Sequence, residues 1–425
     1  MVTPQHALLD QHVDISVVNL LPHAQITIVA TCYDAYKKPW SSHAVFKADG
    51  TGAVHVATQA PLSGSYTSID AMGLFWSMMP TDTDVAGHTM SKWTLNLCDI
   101  TLSIFAHDKL LVQKKIHRLP VAPDIEKRII REQGVVGTLF YPKNILKGPA
   151  VIVVPGSGGG IPENISQLFA SHGYAVLALG YFGVECLPEQ LSEIPLEYFQ
   201  NVMHWLKQQP QVNAQKIALM GHSRGGELVL LLAATFPTEM AAVIAYGTPS
   251  LVYGDFAPHE KAAWTLKGQP VPFLPNLSES ETLAATQAGH VPFHAGTLAD
   301  PLEESATFLY AMKKFSNKIE AATIPVENIT CPVLIISGDD DKLWPATLHG
   351  NRVLERLDTR GSTIERKHVH YLGAGHDICM FPHAPSIDLP VPFGPVWGLF
   401  GGTAEGNARA HKESWNETLN FLKKL

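Results

Sequence analysis

Lys216–Thr235, KIALMGHSRGGELVLLLAAT, reads as three pieces in succession. Lys216–Met220 is a short apolar run of strand length. Gly221-His222-Ser223-Arg224-Gly225 is a G-x-S-x-G. Gly226–Thr235 is an apolar run of helix length. A strand, a sharp bend and a helix form the setting of a nucleophile elbow. In so tight a bend, side chains two before and two after the serine would collide, which accounts for glycine at both places. The serine is then held at a helix N-terminus with its Oγ exposed, close to the positive end of the helix dipole. A serine that merely caps a helix needs neither glycine.

Outward from this stretch, continuous apolar runs recur at Ala150–Val154, Ala175–Leu179, Ala242–Tyr246 and Val333–Ile336. Such runs suit strands buried on both faces, hence a largely parallel sheet. Helical patterns lie between them. Leu196, Phe199, Met203 and Leu206 share one face of a helix, and Leu348–Leu357 reads as another. This alternation predicts a doubly wound α/β domain of the α/β-hydrolase kind.

The chain has 425 residues, too many for one ordinary core. Its first part differs in character. Ile15–Leu20, Gln25–Thr31, His43–Lys47, Val54–Ala57 and Thr94–Phe105 are short mixed runs parted by turn residues. They predict a small antiparallel, immunoglobulin-like β-sandwich over residues 1–125. Pro120 and Pro123 mark a linker, and residues 126–425 form the catalytic domain. Residues from about 250 to 325 break the strand–helix rhythm. Pro258, Pro270, Pro272 and Pro275 precede a helical stretch around Leu302–Ala321, which predicts a cap-like insertion.

A serine hydroxyl needs a base, and this fold supplies its partners in the order Ser, Asp or Glu, His. His376 follows the strand-like Lys367–Tyr371 in Gly373-Ala374-Gly375-His376, a glycine-rich loop able to carry the imidazole over the sheet edge. His368 and His370 fall on that strand. The orienting acid lies after Val333–Ile336, in Gly338-Asp339-Asp340-Asp341-Lys342-Leu343-Trp344-Pro345. The spacing G-x-x-D-x-x-apolar-P selects Asp341, with Asp340 the alternative, and leaves the others as turn formers or solvated charges. Oxyanion donors are expected from the Arg224 backbone N–H and from the loop Pro155–Gly160, at Ser157 or Gly158. That loop lacks a following Gly-Lys-Ser/Thr, which disfavours a phosphate-binding role.

Composition narrows the classes further. The net charge of −8 gives no pull toward nucleic acid. Hydrophobic residues are 46% and charged residues 16%, which suits a globular enzyme. Cys32, Cys98, Cys186, Cys331 and Cys379 show no C-x-x-C spacing, which fits free thiols in a reducing, cytoplasmic setting. No secretory signal, membrane span, metal-ligand constellation or cofactor is expected, and nothing sets an oligomeric state.

Several stretches resemble the family of type I acyl-CoA thioesterases and bile acid-CoA:amino acid N-acyltransferases. They are Gly73–Pro80, Gly158-Gly159-Gly160, Leu187-Pro188 with Leu196–Phe199, and Ser223–Leu228. Gly338–Asp341 with Trp344, Gly375-His376, and Ala408–His411 before Trp415 extend the likeness. The resemblance implies acyl-CoA thioester substrates and the triad Ser223, Asp341 and His376. Acyltransferase members carry cysteine as nucleophile, and serine here favours hydrolysis. Residues 258–300 depart from the family pattern, so chain-length preference does not carry over. The second residue of the elbow, His222, is one common in esterases generally. The expected activity is hydrolysis of acyl-CoA through an acyl-serine. The alternatives are a carboxylesterase or dienelactone-hydrolase-like enzyme, acyl transfer to an amino acid, and a non-catalytic binding role led by the sandwich.

Overall fold

The computed structural model describes residues 1–34, 36–81, 99–255 and 260–425. The unbroken apolar runs all enter one eight-stranded sheet. Its strands are β1 (Ile125–Glu132), β2 (Val135–Pro142), β3 (Gly148–Val154), β4 (Ala175–Leu179), β5 (Val212–His222), β6 (Ala242–Tyr246), β7 (Val333–Gly338) and β8 (Arg366–Tyr371). Their spatial order is β1-β2-β4-β3-β5-β6-β7-β8. β2 is antiparallel to both β1 and β4, and every pairing from β4 to β8 is parallel.

Helices cover both faces of the inner strands, and this is why β3, β4, β6 and β7 carry no polar alternation, whereas the edge strands β1 and β8 are largely polar. Val151, Val153, Ala218, Met220, Ile244 and Ile336 pack toward α1 (Glu163–Ala170) and α5 (Ala404–Leu422). The alternate residues Ile152, Val154, Leu219, Val243, Ala245 and Ile335 pack toward α2 (Leu196–Lys207), α3 (Arg224–Thr235) and α4 (Ala346–Thr359). From β3 the chain steps outward to β4 and then returns across β3 to β5. The carboxyl ends of β3 and β5 therefore flank a topological switch point, the usual place for a ligand in such a sheet.

The N-terminal region is built of mostly antiparallel strands. Gln25–Tyr33, Pro39–Lys47, Asp99–Ala106 and Lys109–Leu119 belong to one sheet, with His6–Leu8 added in parallel. A smaller sheet joins Val2–Thr3, Asp14–Val17 and Val54–His55. Ile15 and Val54 from the small sheet share an apolar cluster with Ile26, Ile28, Phe46 and Leu102 from the large one. The first and fourth of the expected strands are shorter than the runs that predicted them. Of the expected Thr94–Phe105, residues 94–98, including Cys98, lie outside the described residues. This cluster continues into the face of the main sheet that carries α1 and α5. Polar ties reinforce the contact. Asp10 Oδ2 accepts from Trp415 Nε1 at 3.0 Å and from His172 Nε2 at 2.5 Å, and Ser386 Oγ donates to the Trp76 carbonyl at 3.1 Å.

Between β6 and β7 the chain leaves the sheet. Trp264–Leu266 pairs with Ile194–Pro195, and helices form at Glu279–Gln287 and Ser305–Lys314. The helical stretch expected around Leu302–Ala321 is present from Ser305 and is interrupted. It ends at Phe315, whose φ of −100° and ψ of 33° leave the helical region, and resumes as the short turns Ser316–Lys318 and Ile319–Ala322. Pro258 lies outside the described residues. Among the described residues, no helix is long and apolar enough to cross a membrane.

Candidate active site

β5 runs straight into α3 with Ser223 alone between them. Ser223 has φ 61° and ψ −124°, a region that residues with a Cβ rarely occupy. Its backbone N–H donates to the Tyr246 carbonyl of β6 at 2.9 Å, which anchors the bend. A Cβ on Gly221 would lie 2.1 Å from the Gly225 carbonyl oxygen, and one on Gly225 would lie 2.6 Å from that of Pro155. Both glycines are therefore required by close backbone approach.

The loop after β3 meets this bend. A Cβ on Gly156 would lie 3.2 Å from Ser223 Cβ. The Gly159 N–H closes a turn onto the Gly156 carbonyl at 3.1 Å, and Gly160 donates to Phe182. The backbone N–H groups of Ser157 and Gly158 find no acceptor among the described residues, and both residues are exposed. Arg224 is the first residue of α3, in the turn whose N–H groups point out of the helix. Two sources of donor thus flank the serine.

His376 and Asp341 arrive from the loops after β8 and β7. Asp341 Oδ2 accepts from His376 Nδ1 at 2.8 Å, and both side chains are nearly fully buried. Its Oδ1 accepts from the backbone N–H groups of Leu343 at 2.9 Å and Trp344 at 3.1 Å. Those main-chain donors fix the carboxylate, and the carboxylate fixes the imidazole with Nε2 outward. The other two aspartates point elsewhere. Asp340 accepts from Gly402 N at 3.1 Å and pairs with Lys342 at 3.2 Å. Asp339 accepts from Thr347 Oγ1 at 2.8 Å and His370 Nδ1 at 2.9 Å. His368 and His370 both sit on β8. Among the described residues, no group of three or more His, Cys, Asp or Glu side chains is placed to hold a metal ion.

The His376 imidazole is framed by aromatic rings. Trp344 stands edge-on to His376 at 5.4 Å and donates from Nε1 to the Gly247 carbonyl at 2.7 Å, while Phe400 lies 5.3 Å away. Ser223 is 4% exposed and His376 1%. No hydrogen bond joins Ser223 Oγ to His376 in this structure. Such bonds in unliganded enzymes often form only when substrate is bound.

Two features of the site had no counterpart in the sequence reasoning. Arg224 and Glu227 form an ion pair at 3.0 Å that is almost wholly buried. Arg224 Nη2 donates to the Tyr253 carbonyl at 2.9 Å, and Trp264 Nε1 donates to Glu227 Oε1 at 2.6 Å. The pair thereby ties the start of α3 to the segment between β6 and β7. Burial pushes the Glu227 carboxyl up to about 7, against the pull of Arg224. A charged i, i+3 pair at the head of an otherwise apolar helix was the available signal. The second feature is a hydrogen bond from His222 Nε2 to the His376 carbonyl at 2.7 Å, for which the sequence carries no local sign.

Comparison with known proteins gives the family. Residues 10–132 match the acyl-CoA thioester hydrolase/BAAT N-terminal region, and residues 194–425 match the BAAT/acyl-CoA thioester hydrolase C terminal. Acyl-coenzyme A amino acid N-acyltransferase 2 of Mus musculus is 28% identical over 436 residues, covering 99% of this chain and 96% of that protein. Mitochondrial acyl-coenzyme A thioesterase 2 of Homo sapiens is 27% identical over 422 residues, covering 98% and 81%. Among solved structures, the alpha/beta hydrolase GrgF from Penicillium sp. sh18 is similar at a TM-score of 0.41 and 19% identity, over 71% of this chain and 97% of that one. The chain belongs to the family of acyl-CoA thioester hydrolases and bile acid-CoA:amino acid N-acyltransferases.

Proposed function

We propose that the protein is a serine hydrolase that cleaves acyl-CoA thioesters to free acid and CoA. Residues 1–125 serve as an accessory β-sandwich and residues 126–425 as the catalytic domain. The observation that carries this reading is the buried His376–Asp341 hydrogen bond of 2.8 Å, set beside a serine on a strained strand-to-helix bend. The family's substrates, named in its relatives, supply the thioester.

The chemistry follows from the atoms. Ser223 Oγ attacks the thioester carbonyl carbon as His376 Nε2 takes its proton. The tetrahedral oxyanion is met by backbone N–H groups of Arg224 and of Ser157 or Gly158. Collapse breaks the C–S bond, and His376 returns the proton to the leaving sulfur. Water then attacks the acyl-serine, with His376 again as base, and releases the acid. Asp341 holds the imidazole tautomer and steadies the imidazolium without taking the proton. An oxygen ester forms in place of the thioester of a cysteine nucleophile, and hydrolysis is favoured over transfer to an amine.

The test is thiol release from acyl-CoA substrates across chain lengths, beside simple oxygen esters and with glycine or taurine added. Turnover that needs Ser223, is confined to thioesters and yields free acid supports the reading. Amide products would make the protein an N-acyltransferase, ester-only turnover a carboxylesterase, and unchanged turnover in Ser223→Ala would refute the nucleophile.

A further inference from the structure

The nucleophile and the base come from loops 153 residues apart in sequence, after β5 and β8, and no bond joins their side chains directly. One side chain bridges the two loops. His222, bonded through its peptide to Ser223, reaches across to the main chain of His376, with Nε2 2.7 Å from the His376 carbonyl oxygen. A carbonyl only accepts, so Nε2 carries the proton. The two imidazole rings lie 4.7 Å apart, centre to centre. Gly247, at φ 49°, makes room for both. A Cβ there would sit 3.3 Å from His222 Nε2 and 3.5 Å from His376 Cε1. On its other side, His376 N donates to the Phe400 carbonyl at 2.7 Å. The peptide of the base is thus held at both ends, and its ring is held by Asp341.

We infer that His222 is a positioning residue that sets the distance from Ser223 to His376 by clamping the main chain of the base to the peptide of the nucleophile. The inference rests on the serine-hydrolase reading and deepens it. The titratable groups that face His222 are His376 and Asp377. Burial, with the His376 ring adding to it, pushes the His222 pKa down to about 3, so the clamp is neutral at working pH. A neutral ring places no second positive charge beside the imidazolium that forms during turnover. Misplacement of a reacting group by about 1 Å can cost ~100-fold in rate, well beyond the worth of one hydrogen bond in stability.

The experiment uses the full chain and two readouts: the rate of Ser223 labelling by a fluorophosphonate, and kcat and KM for the acyl-CoA turned over best. His222→Phe keeps the bulk and removes the donor. His222→Asn stays polar but is too short to reach. His222→Gln places an N–H at about the reach of Nε2. The expected result is a 10- to 100-fold loss of labelling rate and kcat in H222F and H222N, with KM within about twofold, and recovery to within about fivefold in H222Q. H222N and H222Q carry the test if H222F does not fold. Labelling and kcat within twofold of the parent in H222N overturn the clamp. So does an equal loss in H222N and H222Q at matched thermal stability. Ser223→Ala runs alongside. Turnover that survives S223A sinks the underlying reading, whereas turnover that needs Ser223 and ignores His222 sinks the clamp alone.

Discussion

Asp341→Asn isolates the role of the proposed triad acid with almost no change of shape. Asp341 Oδ1 already accepts two main-chain N–H groups, from Leu343 and Trp344. In asparagine, the amide oxygen must therefore occupy the Oδ1 place, because the NH2 group cannot accept those donors. The NH2 group then falls where Oδ2 stood, 2.8 Å from His376 Nδ1. Two N–H groups cannot face each other at that distance, so the imidazole must carry its proton on Nε2. That tautomer presents a hydrogen to Ser223 and cannot take the serine proton. The loss expected for a wrong tautomer is ~10,000-fold in kcat, or about 5.5 kcal/mol of transition-state stabilisation. KM should stay within a few-fold, and stability should fall by only about 1–2 kcal/mol because both main-chain bonds persist. Asp340→Asn is the matched control. Its partners are Gly402 and Lys342, away from the base, and its kcat should stay within twofold. The assay is steady-state thiol release with a denaturant melt on each variant. A D341N enzyme within tenfold of the parent, or a D340N enzyme that loses a thousandfold, would refute the assignment of the acid.

Three further outcomes follow from the packing. Gly225→Ala drives a Cβ to 2.6 Å from the Pro155 carbonyl oxygen and 3.0 Å from that of Val154, so β3 must move. It should cost about 1–3 kcal/mol in a urea melt and slow fluorophosphonate labelling, and full activity at full stability would contradict the close approach. Glu227→Ala strands the buried Arg224 guanidinium and should cost about 3–5 kcal/mol, while Glu227→Gln, which keeps an acceptor for Trp264, should cost less. Equal losses would show that the missing charge, and not the acceptor for Trp264, sets the cost, and a loss below about 1 kcal/mol in Glu227→Ala would show that the ion pair is not what matters. His349 is fully buried against Ser250, and burial, with Arg352 adding to it, pushes its pKa from 6.5 down to about 3. The unfolded chain binds this proton below pH 6.5 and the folded chain does not, so stability drops as pH falls from 6.5 toward 3. Between pH 7 and 5.5 this group accounts for about 1.3 kcal/mol, and His349→Gln should lose that much less than the parent over the same change. Identical pH slopes would remove His349 as a cause.

The parts of this fold that were legible in sequence are those where local chemistry and tertiary need agree. Val151–Val154 and Ala242–Tyr246 are apolar without alternation because helices cover both faces, and the cause is visible residue by residue. The bend at Ser223 was legible because backbone crowding admits only glycine at 221 and 225. The run Gly338–Pro345 ranked its three aspartates by spacing alone, and the placement of Asp341 on His376 depends on the main-chain donors at 343 and 344 that such a turn creates. What was not legible is long-range or irregular. The His222–His376 bond spans two loops that only the closed sheet brings together. The break in the helical stretch through 302–321 lies at the backbone of Phe315, which side-chain periodicity does not report. The short strands near Ile15 and Val54 stop where pairing partners stop, a property of the neighbouring strand and not of their own residues.

The central claim is that an acyl group passes through Ser223 Oγ. The most direct measurement is rapid acid quench of the protein with acyl-CoA, followed by intact and peptide mass spectrometry. The account predicts one acyl group per chain, on the peptide that contains Ser223, and none in Ser223→Ala. Thioester turnover with the acyl group on another residue, or with no covalent adduct at any quench time while free acid accumulates in S223A, would contradict it.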